Sequence, residues 1–220
     1  MLSKKEERIK EQRIVVIRNE NLFENDYFNG FREKDEADYK SRILTNFEIM
    51  RRGSSEELPN HPLGNAELDT RFKQTIPHCA IFNPESKEIL VYKRSNLNTE
   101  KRLIGRWSLD FRGHIEERDI TGENFIENSM RIELRKEILL KGIINKVELL
   151  GYINNENNPV GKVHFGIAYL LHTTAREVIP LDKTVSEIRF LSLKKIEELC
   201  SSEYVESWSR IILEEKLRNL

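Results

Sequence analysis

The chain has 220 residues, with 36 basic and 37 acidic side chains and a hydrophobic content of 38%. This size and composition fit one soluble domain with a real core plus an extension, and a net charge of −1 gives no electrostatic footprint for nucleic acid or for a membrane surface. No segment has the apolar length of a membrane span and the polar start MLSKKEERIKEQ lacks the apolar middle of a signal peptide, so we expect a cytoplasmic protein.

The first 70 residues are predicted to form an N-terminal extension that packs on a core domain of residues 71–220. Residues 13–17 (RIVVI) favour a short strand, and residues 39–51 favour a helix. The side chains of that helix expected to face inward are Ile43, Leu44, Phe47 and Met50. The run RRGSSEELPNHPLGN, with its Gly, Ser and Pro residues, predicts the loop at which the extension ends.

An aromatic cluster lies within the extension, around Gly30. Its members are Phe23, Tyr27, Phe28 and Phe31. Such rings can stack on a nucleobase, or they can anchor the extension to the core domain or to a second subunit. We favour anchoring, and the second-subunit variant makes a homodimer possible.

From residue 72 the pattern becomes rich in strands. Strands are predicted at residues 76–82, 88–92, 147–153, 162–172 and 187–193, the first two joined by a turn at NPESK. Two helices are predicted to close the chain, one beginning near Leu193 and one over residues 204–217 with Trp208, Ile211, Ile212 and Leu217 available for burial. Strands, one central helix and terminal helices predict an α+β sandwich around a mixed sheet.

The central helix carries two different faces. An apolar stripe recurs every four positions, at Ile126, Met130, Leu134 and Ile138. On another face Glu133 and Glu137 are neighbours one turn apart, a spacing that can hold a hard cation such as Mg²⁺. The same spacing also fits a solvated face, because Glu137 precedes Lys141 as acid before base at four positions.

The stretch from Trp107 to Glu137 resembles the Nudix box, G-x5-E-x7-R-E-U-x-E-E-x-G-U. Gly113 takes the position of the glycine, and residues 133–137 (ELRKE) take the E-U-x-E-E core. The loop between them is longer, which places Glu123 approximately at the first glutamate. WSLDFRGHIE is similar to the W-S-x-x-x-G-G-H-I passage of a Nudix branch described as phosphoesterases. GKVHFGIAYLL and EIRFLSLKKIEEL resemble later strands of the family, so the resemblance covers roughly residues 70–200.

The resemblance implies a Nudix-like α/β/α sandwich with a central mixed sheet. It also implies Mg²⁺- or Mn²⁺-dependent hydrolysis of a pyrophosphate linkage in a nucleoside diphosphate derivative, a nucleotide-type small molecule. The implied metal ligands are the Gly113 carbonyl, Glu133, Glu137 and Glu187. Glu133 and Glu137 would be the catalytic residues, with Glu133 or a loop glutamate as general base.

The implied phosphate-binding residues are basic. They are Lys93, Arg94, Arg106, Arg112 and Lys136, with Arg102 as a further candidate. Ordinary surface charge is the alternative explanation for the basic residues of segment 93–106. The loops at residues 95–106 and 154–162 would select the substrate. Both are polar, and their sequences do not indicate which substrate is bound.

Three positions depart from the Nudix pattern. Ile132 stands where the box has arginine, Lys136 where it has glutamate, and Arg112 where a glycine precedes Gly113. Lys136 supplies no metal ligand and brings a cation close to the predicted site. A degenerate Nudix domain that binds a nucleotide-like ligand or a protein partner without turnover is therefore the alternative to a hydrolase.

The remaining candidates for chemistry are isolated. Cys79 and Cys200 are too few and too distant in the sequence for a disulfide framework or a zinc site. The five histidines show no zinc spacing, and His114 and His164 are more typical of structural hydrogen-bond donors.

Overall fold

The computed structural model describes residues 4–98, 101–202 and 204–220, with the backbone alone for residues 4–6. Thr99 and Glu100, which belong to one of the predicted substrate-selecting loops, lie outside the described residues. The helices are α1 Lys4–Lys10, α2 Asn19–Phe23, α3 Tyr39–Asn46, α4 Phe125–Glu137, α5 Pro159–Lys162, α6 Leu193–Ser202 and α7 Ser207–Glu215. Short 3-10 helices span Lys101–Leu103, Glu117–Asp119 and Leu217–Asn219.

The strands are β1 Arg13–Arg18, β2 Gly30–Glu33, β3 Phe47–Arg51, β4 Phe72–Asn83, β5 Glu88–Arg94, β6 Trp107–Ser108, β7 Asp110–Arg112, β8 Ile138–Leu140, β9 Ile144–Asn154, β10 His164–Thr173, β11 Val178–Pro180 and β12 Val185–Ser192. Within the described ranges, ten strands belong to one sheet whose main path is β12-β5-β4-β10-β9-β2. The other two, β8 and β11, pair separately. Helices and a large sheet together give the predicted α+β content.

The chain divides into two compact units, each built from three segments. The first unit contains residues 1–77, 113–130 and 151–167. The second contains residues 78–112, 131–150 and 168–220. The predicted extension lies wholly in the first unit, and its separation from a 71–220 domain stays a prediction.

In the first unit, β1 pairs antiparallel with β3 and with the start of β4, and β2 pairs with β9. The predicted helix over residues 39–51 is therefore wrong beyond Asn46. The chain turns extended at Phe47 and forms β3 against the buried strand β1. Helical periodicity is a local signal, and ladder hydrogen bonds with a strand about thirty residues away outweigh it. Of the side chains expected to face inward, Ile43 is the one that is fully buried.

Two of the four rings of the extension's aromatic cluster lie in the first unit's core. Phe23 and Phe28 are buried and contact Phe165 edge-to-face, with ring centroids 6.0 and 6.1 Å apart. Tyr39 packs against the same ring at 5.4 Å. Tyr27 is exposed. Two rings of the cluster, together with Tyr39, thus pack against residue 165 of the later chain, and the packing of the whole extension on a core domain stays a prediction.

In the second unit, β5 lies between β12 and the end of β4. The β4–β5 turn forms at NPESK as predicted, since the Asn83 side chain accepts the backbone N–H groups of Glu85 and Ser86 at 2.9 and 3.1 Å. Trp107 in β6 is buried, as expected for a core residue. The terminal helix is shorter than predicted, beginning at Ser207, because residues 204–206 run extended beside β6.

The apolar stripe of the central helix follows expectation. The stripe Ile126, Met130, Leu134 and Ile138 is buried, although Ile138 already begins β8. Cys79 is buried, Cys200 is half-buried, and both thiols are free. No helix within the described ranges is both long enough and apolar enough to cross a membrane.

Candidate active site

The C-terminal half of α4 places Glu133 and Lys136 in contact. Lys136 Nζ lies 2.5 Å from Glu133 Oε1, an ion pair between residues three positions apart on one helix face. The Glu133 side chain is 21% exposed and that of Lys136 is 46% exposed. The cation that departs from the Nudix pattern therefore neutralises a predicted metal ligand directly.

Glu137, the last residue of α4, is half-buried and carries a buried oxygen. Among the described residues, nothing donates a hydrogen bond to its Oε2. Burial raises the pKa of Glu137 to about 7, and the negative charges of Asp182 and Glu133 add to the rise. The positive charges of Arg94 and Arg112 oppose it without offsetting it. Glu137 is thus a carboxyl group that a nearby cation would stabilise in its ionised form.

Asp182 is a third carboxylate of this site. The backbone N–H groups of Leu181 and Asp182 donate to the Glu137 carbonyl at 2.8 and 3.2 Å, which fixes the loop between β11 and β12 at the end of α4. Asp182 Oδ1 in turn accepts the Thr184 N–H at 2.7 Å. Sequence reasoning missed Asp182, because neither its spacing from Glu137 nor its LDKT context carries a motif.

Arg94 and Arg112, two predicted phosphate-binding residues, both pair with Glu206. Arg94 Nε lies 3.1 Å from Glu206 Oε1, and Arg112 Nη2 forms an ion pair with Glu206 Oε2. Arg112 Nη1 also lies 3.6 Å from Asp110, and the Ser108 hydroxyl donates to Glu206. Both carboxylates are buried, so each needs these cationic partners.

A histidine–aspartate pair completes the buried charges of the second unit. His78 Nδ1 lies 2.6 Å from Asp110 Oδ2, and the Ser209 hydroxyl donates to the other carboxylate oxygen. Burial alone would raise the pKa of Asp110, but the charge and hydrogen bond of His78 and the charge of Arg112 hold it well below its usual range. Trp208 stacks on His78 with ring centroids 4.9 Å apart. The sequence offered one signal for this pair, an aspartate placed between the apolar residues 109 and 111.

Two further basic candidates, Lys93 and Arg106, pack on aromatic rings. Lys93 Nζ lies 5.5 Å from the Trp107 ring centroid, and the Arg106 guanidinium lies 4.7 Å from the Tyr204 ring. Lys93 is also the cross-strand partner of Glu187, the predicted fourth metal ligand. Glu187 Oε1 also forms an ion pair, at 2.9 Å, with the guanidinium of Arg189 on the same strand. Lys93 and Glu187 are thus side by side on the sheet.

The remaining predicted residues belong to the first unit. Gly113 lies there, as do the loop carboxylates. Glu116 and Asp119 cap the 3-10 helix reciprocally, and Glu117 Oε2 accepts from Arg13 Nε at 2.7 Å. Glu123 is exposed. These contacts give most of the loop acids a local structural role.

The second unit can accommodate one hard cation at Glu137. Mg²⁺ prefers carboxylate and carbonyl oxygens and keeps several waters, and the Glu137 Oε2 atom is a buried oxygen with no donor in the described chain. The negative charges of Glu133 and Asp182 act on the Glu137 carboxyl group and raise its pKa. A cation bound at this group would therefore be attracted by all three carboxylates. Within the described ranges, neither Glu133 nor Glu137 belongs to a set of three His, Cys, Asp or Glu ligand atoms lying within 4.8 Å of one another. Waters and substrate oxygens would therefore complete the shell.

Comparison with known proteins supports the fold assignment. No protein-family model matches the sequence. The chain is 26% identical to Protein YmaB of Bacillus subtilis (strain 168) over 214 residues, which cover 93% of this chain and 97% of the relative. It resembles the crystal structure of Tm1382, which carries a Nudix hydrolase designation, with a TM-score of 0.73 and 23% identity over 95% of this chain and 100% of the other.

A second solved structure is a protein–ligand complex. It is the NUDIX domain of Shewanella oneidensis NrtR complexed with ADP ribose. The TM-score is 0.52 and the identity is 15%, over 67% of this chain and 88% of that domain.

Proposed function

This chain has the Nudix fold, an α/β/α sandwich around a mixed sheet, and on that premise we propose that it hydrolyses a pyrophosphate linkage in a nucleoside diphosphate derivative with Mg²⁺ or Mn²⁺. The observation that carries the proposal is Glu137. Its buried Oε2 lacks a donor in the described chain, and its pKa is raised to about 7 at the end of the helix that resembles the Nudix box. A purely structural glutamate would be paired or exposed.

The proposed roles of the carboxylates differ. Glu137 and Glu133 would hold the cation, with Glu187 of the same unit as a further predicted ligand. Bound Mg²⁺ supplies Lewis-acid polarisation of the diphosphate phosphorus. Glu133 is the candidate general base, because its side chain is 21% exposed to water and pairs with Lys136. A proton from the attacking water would pass to a Glu133 oxygen.

Basic side chains would bind the diphosphate. A guanidinium presents five N–H donors, so an arginine paired with a carboxylate can also bind a phosphate oxygen. We propose this role for Arg94 and Arg112, which hold Glu206 between them, and for Lys93, Arg106 and Lys136 on the surface. The ADP-ribose bound to the NrtR domain supports a nucleotide-type ligand.

A binding module without turnover is the second candidate. The contact between Lys136 and Glu133 favours it, because a lysine ammonium in this position replaces part of the charge of a metal ion. The ion pair of Arg112 with Glu206 favours it too, since the pair fixes a long side chain where the Nudix pattern has glycine.

Turnover of a nucleotide panel with Mg²⁺ or Mn²⁺ separates the two candidates. The panel contains nucleoside diphosphate sugars, dinucleoside polyphosphates and ADP-ribose, and the variants are Glu137→Gln, Lys136→Glu and the control Glu127→Gln, which removes a carboxylate from the first turn of α4. Metal-dependent turnover that is lost in Glu137→Gln and kept in Glu127→Gln supports the hydrolase. Absence of turnover in the wild type, with activity gained by Lys136→Glu, supports the binding module.

The predicted homodimer and cytoplasmic location also stay proposals. Sedimentation equilibrium of the full chain tests the first. Fractionation of cells expressing the tagged chain tests the second.

A further inference from the structure

Glu67, His114 and His164 come together in the first unit although they are far apart in the sequence. Glu67 lies in the loop before β4, His114 follows β7, and His164 is the first residue of β10. One ligand atom from each lies within 4.8 Å of the other two, and in the described part of the chain they are the one such group of His, Cys, Asp and Glu residues. The two imidazole centroids are 5.6 Å apart.

We infer that Glu67, His114 and His164 form a binding site for one divalent ion of the zinc class, with water in the fourth position. Two imidazoles and one carboxylate are a ligand set that zinc uses, whereas Mg²⁺ prefers oxygen ligands alone. The site is therefore chemically separate from Glu137 and does not rest on the proposed hydrolase function.

In each of the two histidine rings, one nitrogen donates a hydrogen bond to a protein oxygen. The other nitrogen of the neutral ring is then unprotonated and can act as a metal ligand. His164 Nδ1 lies 2.7 Å from the Val160 carbonyl, which can only accept, so Nδ1 carries the proton and Nε2 does not. Gln74 Nε2 donates to the Ala66 carbonyl at 3.0 Å, which leaves Gln74 Oε1 to accept from His114 Nε2 at 2.8 Å. In neutral His114 the unprotonated atom is then Nδ1. Carbonyl acceptors behind imidazole ligands are the usual arrangement in metal sites.

Gln74 and Arg52 hold the three residues in place. Gln74 is buried, and besides its two side-chain bonds its backbone N–H donates to the Val163 carbonyl, next to His164, at 2.7 Å. Arg52 Nε donates to Glu67 Oε1 at 2.7 Å and thereby orients the carboxylate. One buried glutamine thus connects all three ligand segments, which makes it a positioning residue.

The cluster needs only a small closure to bind an ion. Zinc lies about 2.0–2.1 Å from nitrogen, so ligand atoms in a tetrahedral shell are roughly 3.4 Å apart. Small rotations of the three side chains would close the difference from the observed separation of up to 4.8 Å.

Zinc content of the purified full chain tests the site. After incubation with Zn²⁺ and dialysis, elemental analysis is expected to find one zinc per chain in the wild type and in Glu137→Gln. His114→Gln and His164→Gln are expected to lose it, and Gln74→Leu is expected to bind about 10- to 100-fold more weakly. The matched control is His172→Gln, which removes a histidine from the same strand as His164. Zinc lost equally in the control, or retained in both ligand variants, overturns the assignment.

A measurement on the wild type avoids any folding defect of the variants. Long-range ¹H–¹⁵N spectra of the histidine rings are recorded with and without Zn²⁺. We expect large shifts at Nδ1 of His114 and Nε2 of His164, with His61 and His172 unchanged. Unmoved resonances of His114 and His164 at saturating zinc overturn the assignment, as does a zinc shift confined to other histidines.

Discussion

The ammonium of Lys136 lies 2.5 Å from Glu133 Oε1, so one turn of α4 contains both a predicted metal ligand and its own counter-ion. Lys136→Gln should free the glutamate, and Lys136→Glu should add a carboxylate. Because the pair is solvated, we expect Mn²⁺ affinity to rise only about three- to tenfold in Lys136→Gln and further in Lys136→Glu. Titration followed by Mn²⁺ paramagnetic resonance measures this. Lys141→Gln, an exposed lysine paired with Glu177 at 3.7 Å, is the control, and an equal gain there would contradict the explanation.

Glu137 should make stability fall as the pH rises. Its folded pKa of about 7 lies above the value of 4.5 for an unperturbed glutamate, so between these values the folded chain keeps a proton that the unfolded chain has released. The free energy of unfolding is therefore highest below this window and decreases through it, by at most about 3 kcal/mol. Urea denaturation of wild type and Glu137→Gln at about pH 5 and about pH 8 measures the effect. The glutamine variant should lack this decrease, and Glu127→Gln should retain it. Identical pH profiles for the wild type and Glu137→Gln would argue against the raised pKa.

Restoring the Nudix glycine at position 112 should destabilise the protein. Arg112→Gly removes the cation that pairs with Glu206 and lies near Asp110, and both acids are buried. We expect a loss of about 3 kcal/mol in the free energy of unfolding. Arg118→Gly, at an exposed arginine paired with Glu116, should cost about 1 kcal/mol through backbone entropy. Chemical denaturation measures the free energy of unfolding of both variants. Similar decreases in the two would show that Arg112 is not a structural counter-ion.

Lys73 is a buried charged residue of the first unit, and its removal or the removal of its partner tests how the charge is stabilised. Its fully buried ammonium lies 2.7 Å from Glu156 Oε1 and 3.0 Å from the Gly161 carbonyl. Glu156→Gln leaves the ammonium without a counter-ion, so we expect a loss of about 3 kcal/mol, whereas Lys73→Met replaces the charge with an apolar chain and should cost less. Thermal and urea unfolding measure both. A larger loss for Lys73→Met would mean that the hydrogen bond to Gly161 outweighs the cost of burying the charge.

The sequence predicts those elements whose signal is local. The apolar stripe of α4 and the β4–β5 turn are each encoded within a short stretch of sequence, and both form where expected. The apolar residues of β3 also fit a helical period, and it is the pairing with β1 that makes this segment extended. Long-range contacts, unlike periodicity, leave no trace in a short window.

The candidate site was predictable to the same extent. Resemblance and spacing pointed to Glu133, Glu137 and Lys136. The partners of these residues come from distant segments, so spacing could not show that Asp182 lies beside α4 or that Glu206 holds two arginines. His114 and His164 likewise have no zinc spacing in the sequence, and folding alone places them with Glu67.

Because the two thiols are buried to different extents, their rates of chemical modification can measure how often the second unit opens. Cys79 in β4 is 1% exposed, and burial raises the pKa of its thiol well above the ordinary value. Cys200 in α6 is half-buried, and its thiol pKa is also raised by burial. A maleimide should therefore modify Cys200 first and reach Cys79 only when the strand detaches. The rate of the second modification then reports how often β4 is released from its neighbours, and it needs no mutation because both cysteines are native.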